Sequence, residues 1–276
     1  MKRKIKKAYT IRRVGRLGTA PLRTLPDFII IGTQKGGTTF LNQLLAQHPL
    51  IKRAFLKEVH YFDLNFDKGI NWYRSNFPVR TSKNDGYVTG EASPYYMFHP
   101  HAARRASEVV PNAKLIVLLR DPVDRAYSHY QHQALRVRGK GQETLSFEQA
   151  LEAEEGRLHG EVERMLQDEH YLSPNYRNYS YLARGVYVDQ LQSWSKYFDR
   201  TQMLVLKSEV LFRDTAGILQ ATANFLEIPY WAPEAYSIPN KREYKDMSPN
   251  VRQHLEDYFR PHNIRLYEYL GVDLGW

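Results

Sequence analysis

The sequence contains no cysteine. Without a thiol there is no disulfide, no zinc–thiolate site and no cysteine nucleophile. It also lacks any apolar run long enough to span a bilayer or to form the core of a secretory signal. Taken as it stands, the chain is expected to be soluble, cytoplasmic and outside the usual secretory route. Internal repeats are absent too. The formal charge of +9 looks at first like a nucleic-acid signature. But the body of the chain has no excess of either sign. Nine basic residues (Lys2, Arg3, Lys4, Lys6, Lys7, Arg12, Arg13, Arg16 and Arg23) and no acid fall in residues 1–26; the other 250 residues carry 30 Lys or Arg against 30 Asp or Glu. The basicity therefore belongs to a tail, no nucleic-acid partner is expected, and any anion site in the body must be a local cluster. The tail reads as a disordered, solvated arm, with contact to an anionic surface as the alternative.

What is present suits one large domain. The 276 residues are 42% hydrophobic and 25% charged, enough to bury a core without cross-links. The 20 tyrosines suit an aromatic core with an amphipathic surface. Order is expected from Pro26 onward. Asp27-Phe28-Ile29-Ile30-Ile31-Gly32 is a continuous apolar run ending in glycine, the pattern of a buried parallel strand. A helix should follow from Thr38, with Phe40, Leu41, Leu44 and Leu45 on one face. Lys114–Leu119 and Gln202–Leu206 read as further buried strands, and Tyr87–Glu91 as a weaker one. Asp121 and Pro122 are suited to cap and open a helix after the second buried strand. Alternation of strands and helices predicts a three-layer α/β/α fold with a central parallel sheet. Residues 134–180 are polar, with glutamates grouped between Leu151 and Glu163. Ser146-Phe147-Glu148-Gln149 resembles a capping box. This stretch reads as a helical insertion and a candidate lid, within one domain over 27–276.

Gly32-Thr33-Gln34-Lys35-Gly36-Gly37-Thr38-Thr39 joins the first strand to its helix. Glycines let the backbone approach an anion closely, and the amides at the helix start hold it. Phosphate or sulfate binding is the expectation here. A nucleotide triphosphatase would place lysine directly after the second glycine. In this chain Thr38 follows Gly37, and the lysine lies inside the loop as Lys35. No acidic metal ligand directly follows the second strand, because Leu119 leads to Arg120 before Asp121.

These stretches resemble the PAPS-dependent sulfotransferases, PAPS being 3'-phosphoadenosine 5'-phosphosulfate. Thr33–Thr39 is similar to their 5'-phosphosulfate loop. Leu118-Leu119-Arg120-Asp121-Pro122-Val123-Asp124-Arg125-Ala126-Tyr127-Ser128 is similar to their 3'-phosphate motif. Lys57–Asp63, Gly69–Tyr73 and Tyr258–Asn263 add to a likeness with the heparan sulfate and other carbohydrate sulfotransferases, over most of residues 27–276. The resemblance implies a P-loop-like sulfotransferase fold. It implies transfer of a sulfuryl group from PAPS to a hydroxyl or amine of a carbohydrate-like acceptor. A transferring sulfuryl group carries less charge than a triphosphate, so lysine and backbone amides suffice and no metal is expected.

Lys35 is the candidate to stabilise the leaving phosphate. Gly36, Gly37, Thr38 and Thr39 would hold the 5'-phosphate. Arg120 and Ser128 would bind the 3'-phosphate, with an Arg120–Asp124 surface pair as the structural alternative. Glu58 is the candidate general base. His60 is an equal candidate on chemistry alone, and an extended chain would put both on one side. Pairing of Glu58 with Lys57 is the plain alternative. The resemblance places Asp63, with His60, on the acceptor side. Glu91 is a further acceptor-side candidate, or a residue that merely ends its strand. Ala92 stands where the family often has lysine. The absence of cysteine departs from lumenal animal relatives, which tend to carry a disulfide near the C-terminal loop. Lys241 and Arg242 match that loop, which closes over the 3'-phosphate. Two other readings remain at this stage: a nucleotide-dependent small-molecule kinase on a P-loop fold, and a polyanion-binding protein.

Overall fold

The structure is a computed structural model that describes residues 13–79, 86–135, 143–236 and 246–276. Its centre is a five-stranded sheet: β1 (Phe28–Gly32), β2 (Ile51–Arg53), β3 (Val88–Ala92), β4 (Lys114–Leu119) and β5 (Met203–Lys207), in the order β2-β3-β1-β4-β5. Every pairing is parallel. The helices that bear on the site are α1 (Thr38–Leu45), α2 (Tyr61–Leu64), α3 (Pro122–Ala134), α4 (Pro174–Asn178), α5 (Tyr187–Ser195), α6 (Thr215–Leu226) and α7 (Pro249–Leu270).

The side-chain period of two explains the layers. Ile29, Ile31, Leu115, Val117 and Leu119 face one core, which includes Tyr73, Leu191, Trp194 and Phe259. Phe28, Ile30, Ile116 and Leu118 face the other, with Leu41 and Leu44 of α1 and Ile218 and Leu219 of α6. A strand covered on both faces needs apolar residues at every position, hence the unbroken runs in β1 and β4. Each such side chain contributes roughly 1.5–3 kcal/mol by leaving water. The three-layer α/β fold read from the sequence is the fold observed. β2 was not legible: it has three residues, and Lys52 and Arg53 are exposed, so no apolar run marks it.

β1 lies between β3 and β4, so the connections leaving β1 and β4 diverge. Open α/β sheets bind ligands in the crevice at such a switch point, outside the carboxyl ends of the strands. Lys35 follows β1, Glu58 follows β2, Glu91 lies near the end of β3 and Arg120 follows β4. All four candidates therefore come off the same edge of the sheet.

Order begins before Pro26. Residues 13–18 are helical. Arg16 donates to the carbonyls of Ser75 at 2.6 Å and Phe77 at 2.7 Å, and Arg23 donates to Phe77 at 2.8 Å. These guanidinium groups satisfy carbonyls just past the helix Gly69–Arg74. This corrects the expected boundary of the tail; the rest of it, residues 1–12, lies outside the described residues. Between 143 and 180 the chain forms helices Phe147–Glu152, Glu154–Leu158 and Glu161–Gln167, followed by α4. Ser146 and Gln149 make the capping box. Buried Glu154 accepts backbone N–H bonds from Tyr181 and Leu182 at 2.7 Å and Ala183 at 2.8 Å. The Tyr176 ring stacks on Phe98 at 4.3 Å. The segment is thus tied to the body by buried contacts.

Candidate active site

The phosphate loop is shaped by close backbone contact. A Cβ on Gly36 would lie 2.6 Å from the Leu118 carbonyl oxygen, so only glycine lets the loop lie against β4. Gly37 has φ 90° and opens α1 from the left-handed region. Thr33 N–H bonds Leu118 O at 2.9 Å, and Gly36 N–H bonds Thr33 O at 2.9 Å. The first amides of α1 have no carbonyl one turn back to bond. With Thr38 and Thr39 they are the groups a helix start offers to an anion. Lys35 itself has φ 73°.

The end of β4 meets this loop directly. Arg120 donates to the Lys35 carbonyl at 3.3 Å. Its guanidinium lies 3.8 Å from Asp124, whereas Arg252 of α7 holds that carboxylate at 2.7 Å. The Arg120–Asp124 pair is therefore the looser of the two. Asp121 accepts from the amides of Val123 and Asp124, with Pro122 at the first helical position, as the sequence indicated. Ser128 lies two turns into α3 and is buried. Tyr187 of α5 donates to the Arg120 carbonyl at 2.8 Å.

Glu58 and His60 are not extended. Both are left-handed, with φ 57° and 53°, yet their side chains still meet: His60 Nε2 lies 3.2 Å from Glu58 Oε2. His60 Nδ1 lies 2.7 Å from Asp63 Oδ2. Burial opposes charge on the imidazole, but the bonds to Asp63 and Glu58 outweigh it and raise its pKa to about 9. At neutral pH the ring is a cation that donates to both carboxylates. The hydrogen bond from His60 holds Glu58 below the usual carboxylate range against its own desolvation. Glu58 is thus ionised and 39% exposed at its side chain. Among the described non-glycine residues only Lys35, Glu58, His60 and Glu227 have positive φ. Glu227 caps the end of α6, an ordinary use of that region. The other three are candidate catalytic residues. Strained backbone that the surroundings hold in place tends to mark function.

Two acceptor-side candidates are buried. Asp63 is 2% exposed, with Oδ2 taken by His60 and Oδ1 by the Leu64 amide at 2.7 Å. Glu91 is 1% exposed and accepts from Tyr73 at 2.8 Å, Tyr96 at 3.0 Å and Ser93 at 2.7 Å. Burial raises its pKa to about 7 although those three bonds pull it down. Both carboxylates face inward because donors, side-chain for Glu91 and a side chain and a backbone amide for Asp63, meet them there. Lys241 and Arg242 lie outside the described residues.

Other residues reach the site through contacts without a local sequence signal. Lys57 Nζ donates to Thr39 Oγ1 at 2.9 Å, so the residue before Glu58 touches the start of α1. Its hydrogen-bond partner is Thr39, and its charge still helps to lower the Glu58 pKa. Buried Arg184 donates to the Gln34 side chain and to the Arg177 carbonyl at 2.9 Å, linking the phosphate loop to α4. Their partners lie 18 and 150 residues away, beyond any local pattern.

The sequence model of the sulfotransferase domain family matches residues 25–263. The chain belongs to the sulfotransferase family. It is 31% identical to human heparan sulfate glucosamine 3-O-sulfotransferase 3B1 over 92% of this chain and 65% of that protein. It is 28% identical to the membrane-associated sulfotransferase kil1 of Dictyostelium discoideum over 92% of this chain and 67% of that protein. The chain thus spans about two thirds of the length of these curated relatives. A solved sulfotransferase from Alicyclobacillus acidocaldarius superposes with a TM-score of 0.67 at 31% identity, covering 91% of this chain and 98% of that one. The kinase alternative finds no support in this sulfotransferase, whose loop lysine precedes the glycine pair. Among its described residues no helix is long and apolar enough to cross a membrane.

Proposed function

We propose that this sulfotransferase moves the sulfuryl group of PAPS to a hydroxyl or amine of a carbohydrate-like acceptor by in-line displacement. The observation that carries the reading is the Lys57–Thr39 contact of 2.9 Å, which ties the Glu58 loop to the phosphate loop. Glu58 takes the acceptor proton. The acceptor oxygen or nitrogen forms the new bond to sulfur while the bond from sulfur to the phosphate oxygen breaks. That oxygen keeps the electron pair and leaves as adenosine 3',5'-bisphosphate. Lys35 stabilises the charge that grows there. Gly36, Gly37, Thr38 and Thr39 hold the 5'-phosphate, and Arg120 and Ser128 the 3'-phosphate.

His60 is not the base in this scheme, because both ring nitrogens already donate to carboxylates. It orients Glu58 and keeps it ionised. Lys57 adds a second ammonium beside the loop. Lys241 and Arg242 complete the reading as groups that close over the 3'-phosphate. The relatives named for heparan sulfate support the carbohydrate acceptor. A cytoplasmic setting belongs to the same reading, since a chain without cysteine needs no oxidising compartment.

The test is calorimetric binding of adenosine 3',5'-bisphosphate and of ADP without magnesium. Tight binding of the bisphosphate alone is expected; preference for ADP would sink the donor assignment. Lys35→Ala should lower turnover by roughly 10²–10³-fold, and full turnover in that variant would remove Lys35 from the mechanism.

A further inference from the structure

Glu91 has no task in the mechanism above, yet it is buried directly behind the Glu58 loop. We infer that Glu91 is a positioning residue: it orients the hydroxyls of Ser93 and Tyr96 so that their oxygens receive the backbone amides of His60 and Tyr61, and so fixes the Glu58–His60 pair at the crevice. The inference rests on the reading of Glu58 as the base.

A hydroxyl has one proton to give. Ser93 gives its proton to Glu91 Oε2 at 2.7 Å, and Tyr96 gives its proton to Oε1 at 3.0 Å. Each oxygen then presents only lone pairs on its other side. These meet the His60 amide at 3.0 Å and the Tyr61 amide at 2.6 Å. The two amides open α2, a helix of four residues, too short to hold itself in place. His60 also has φ 53°, a conformation its Cβ disfavours unless its surroundings hold it. Tyr73 supplies Glu91 with a third donor at 2.8 Å and stacks on the Tyr61 ring at 4.3 Å, so it clamps the same residue from its side chain. From Glu91 the path runs through a hydroxyl and an amide to His60, and from the His60 ring to Glu58.

An ionised carboxylate is needed because it only accepts, so the network holds fully above the raised Glu91 pKa of about 7 and the experiment is run there. Glu91→Gln keeps the shape but directs an NH₂ at one of the hydroxyls. That hydroxyl must turn its proton outward, against the amide it now serves. The damage falls on the His60 loop and leaves the phosphate loop alone.

The experiment compares wild type, Glu91→Gln and Ser93→Ala as full-length chains. It reads three quantities: affinity for adenosine 3',5'-bisphosphate, the NMR titration of the His60 ring, and turnover at saturating PAPS. In Glu91→Gln the bisphosphate affinity should stay within about twofold. The His60 titration should fall by about one unit or more as its carboxylate partners lose alignment. Turnover should drop roughly tenfold to a hundredfold with the KM for PAPS unchanged. Ser93→Ala, which cuts a single link, should show the same pattern more mildly. It carries the test if Glu91→Gln does not fold. Unchanged His60 titration in both variants would overturn the inference. So would loss of bisphosphate affinity in parallel with the His60 shift, which would make Glu91 a general support of the sheet. Failure of the base reading looks different: Glu58→Gln would then retain turnover while Glu91→Gln still moved the His60 titration.

Discussion

The proposed donor side and the proposed acceptor side of this crevice are built in different ways. The Gly32–Thr39 loop is held by backbone: Gly36 packs on the Leu118 carbonyl, and Gly37 turns the chain into the start of α1. The Glu58 loop is held by side chains from elsewhere: Ser93 and Tyr96 grip its amides, and Asp63 orients its imidazole. Backbone-built sites depend on a few glycines and are indifferent to most other side chains. Side-chain-built sites depend on each member of a network, because a buried group left without its partner is costly.

The sharpest way to break the comparison is Glu58→Gln. Turnover should fall about 10³-fold, while affinity for adenosine 3',5'-bisphosphate stays near that of wild type. If the two fell together, the sides would be one unit. Next in size is the pH dependence of stability. The His60 pKa is raised to about 9 by its carboxylates. Its contribution is therefore complete below its unfolded value of about 6.5 and is lost as pH rises through about 9. Wild type should lose on the order of 3 kcal/mol across that window relative to His60→Asn, measured by urea unfolding. A flat difference would mean that the imidazole is not charged in the folded chain.

On the donor side, Arg120→Ala should weaken the bisphosphate about thirtyfold and leave ADP affinity unchanged. Equal loss for both nucleotides, read by calorimetry, would move Arg120 away from the 3'-phosphate. Ser128→Ala should cost less, about fivefold, because a neutral hydroxyl is a weaker donor than a guanidinium. A larger loss for Ser128 than for Arg120 would reverse the roles assigned to them.

The sequence alone went a long way on the donor side. β1 and β4 were legible as apolar runs, and Asp121-Pro122 as a helix start. The loop from Gly32 to Thr39 was legible as a glycine-shaped turn between a buried strand and a helix, because glycine freedom acts over a few residues. The acceptor side was legible only in part. Glu58 and His60 were expected side by side on an extended chain. They do meet, but through two left-handed residues that no local rule favours. The resemblance put Asp63 on the acceptor side and Glu91 was an acceptor-side candidate or a strand end, and the fold buries both. Lys57 was noted only within a resembling stretch and as a partner for Glu58, and Arg184 gave no signal, since contacts to Thr39 and Gln34 far along the chain leave no local pattern.

What the sequence by itself determined is what steric rules and side-chain period decide over short range: the parallel strands buried on both faces, the helix caps and the phosphate loop. What only the tertiary structure decided is which charged groups face one another. Sheet order β2-β3-β1-β4-β5 brings the Glu58 loop and the end of β3 together, so that Ser93 reaches His60 across 33 residues, and packing of the Ala183–Gly185 turn on the sheet edge brings Arg184 to Gln34 across 150. Electrostatic partners are set by distance in space, and distance in space is settled only when the strands have chosen their neighbours.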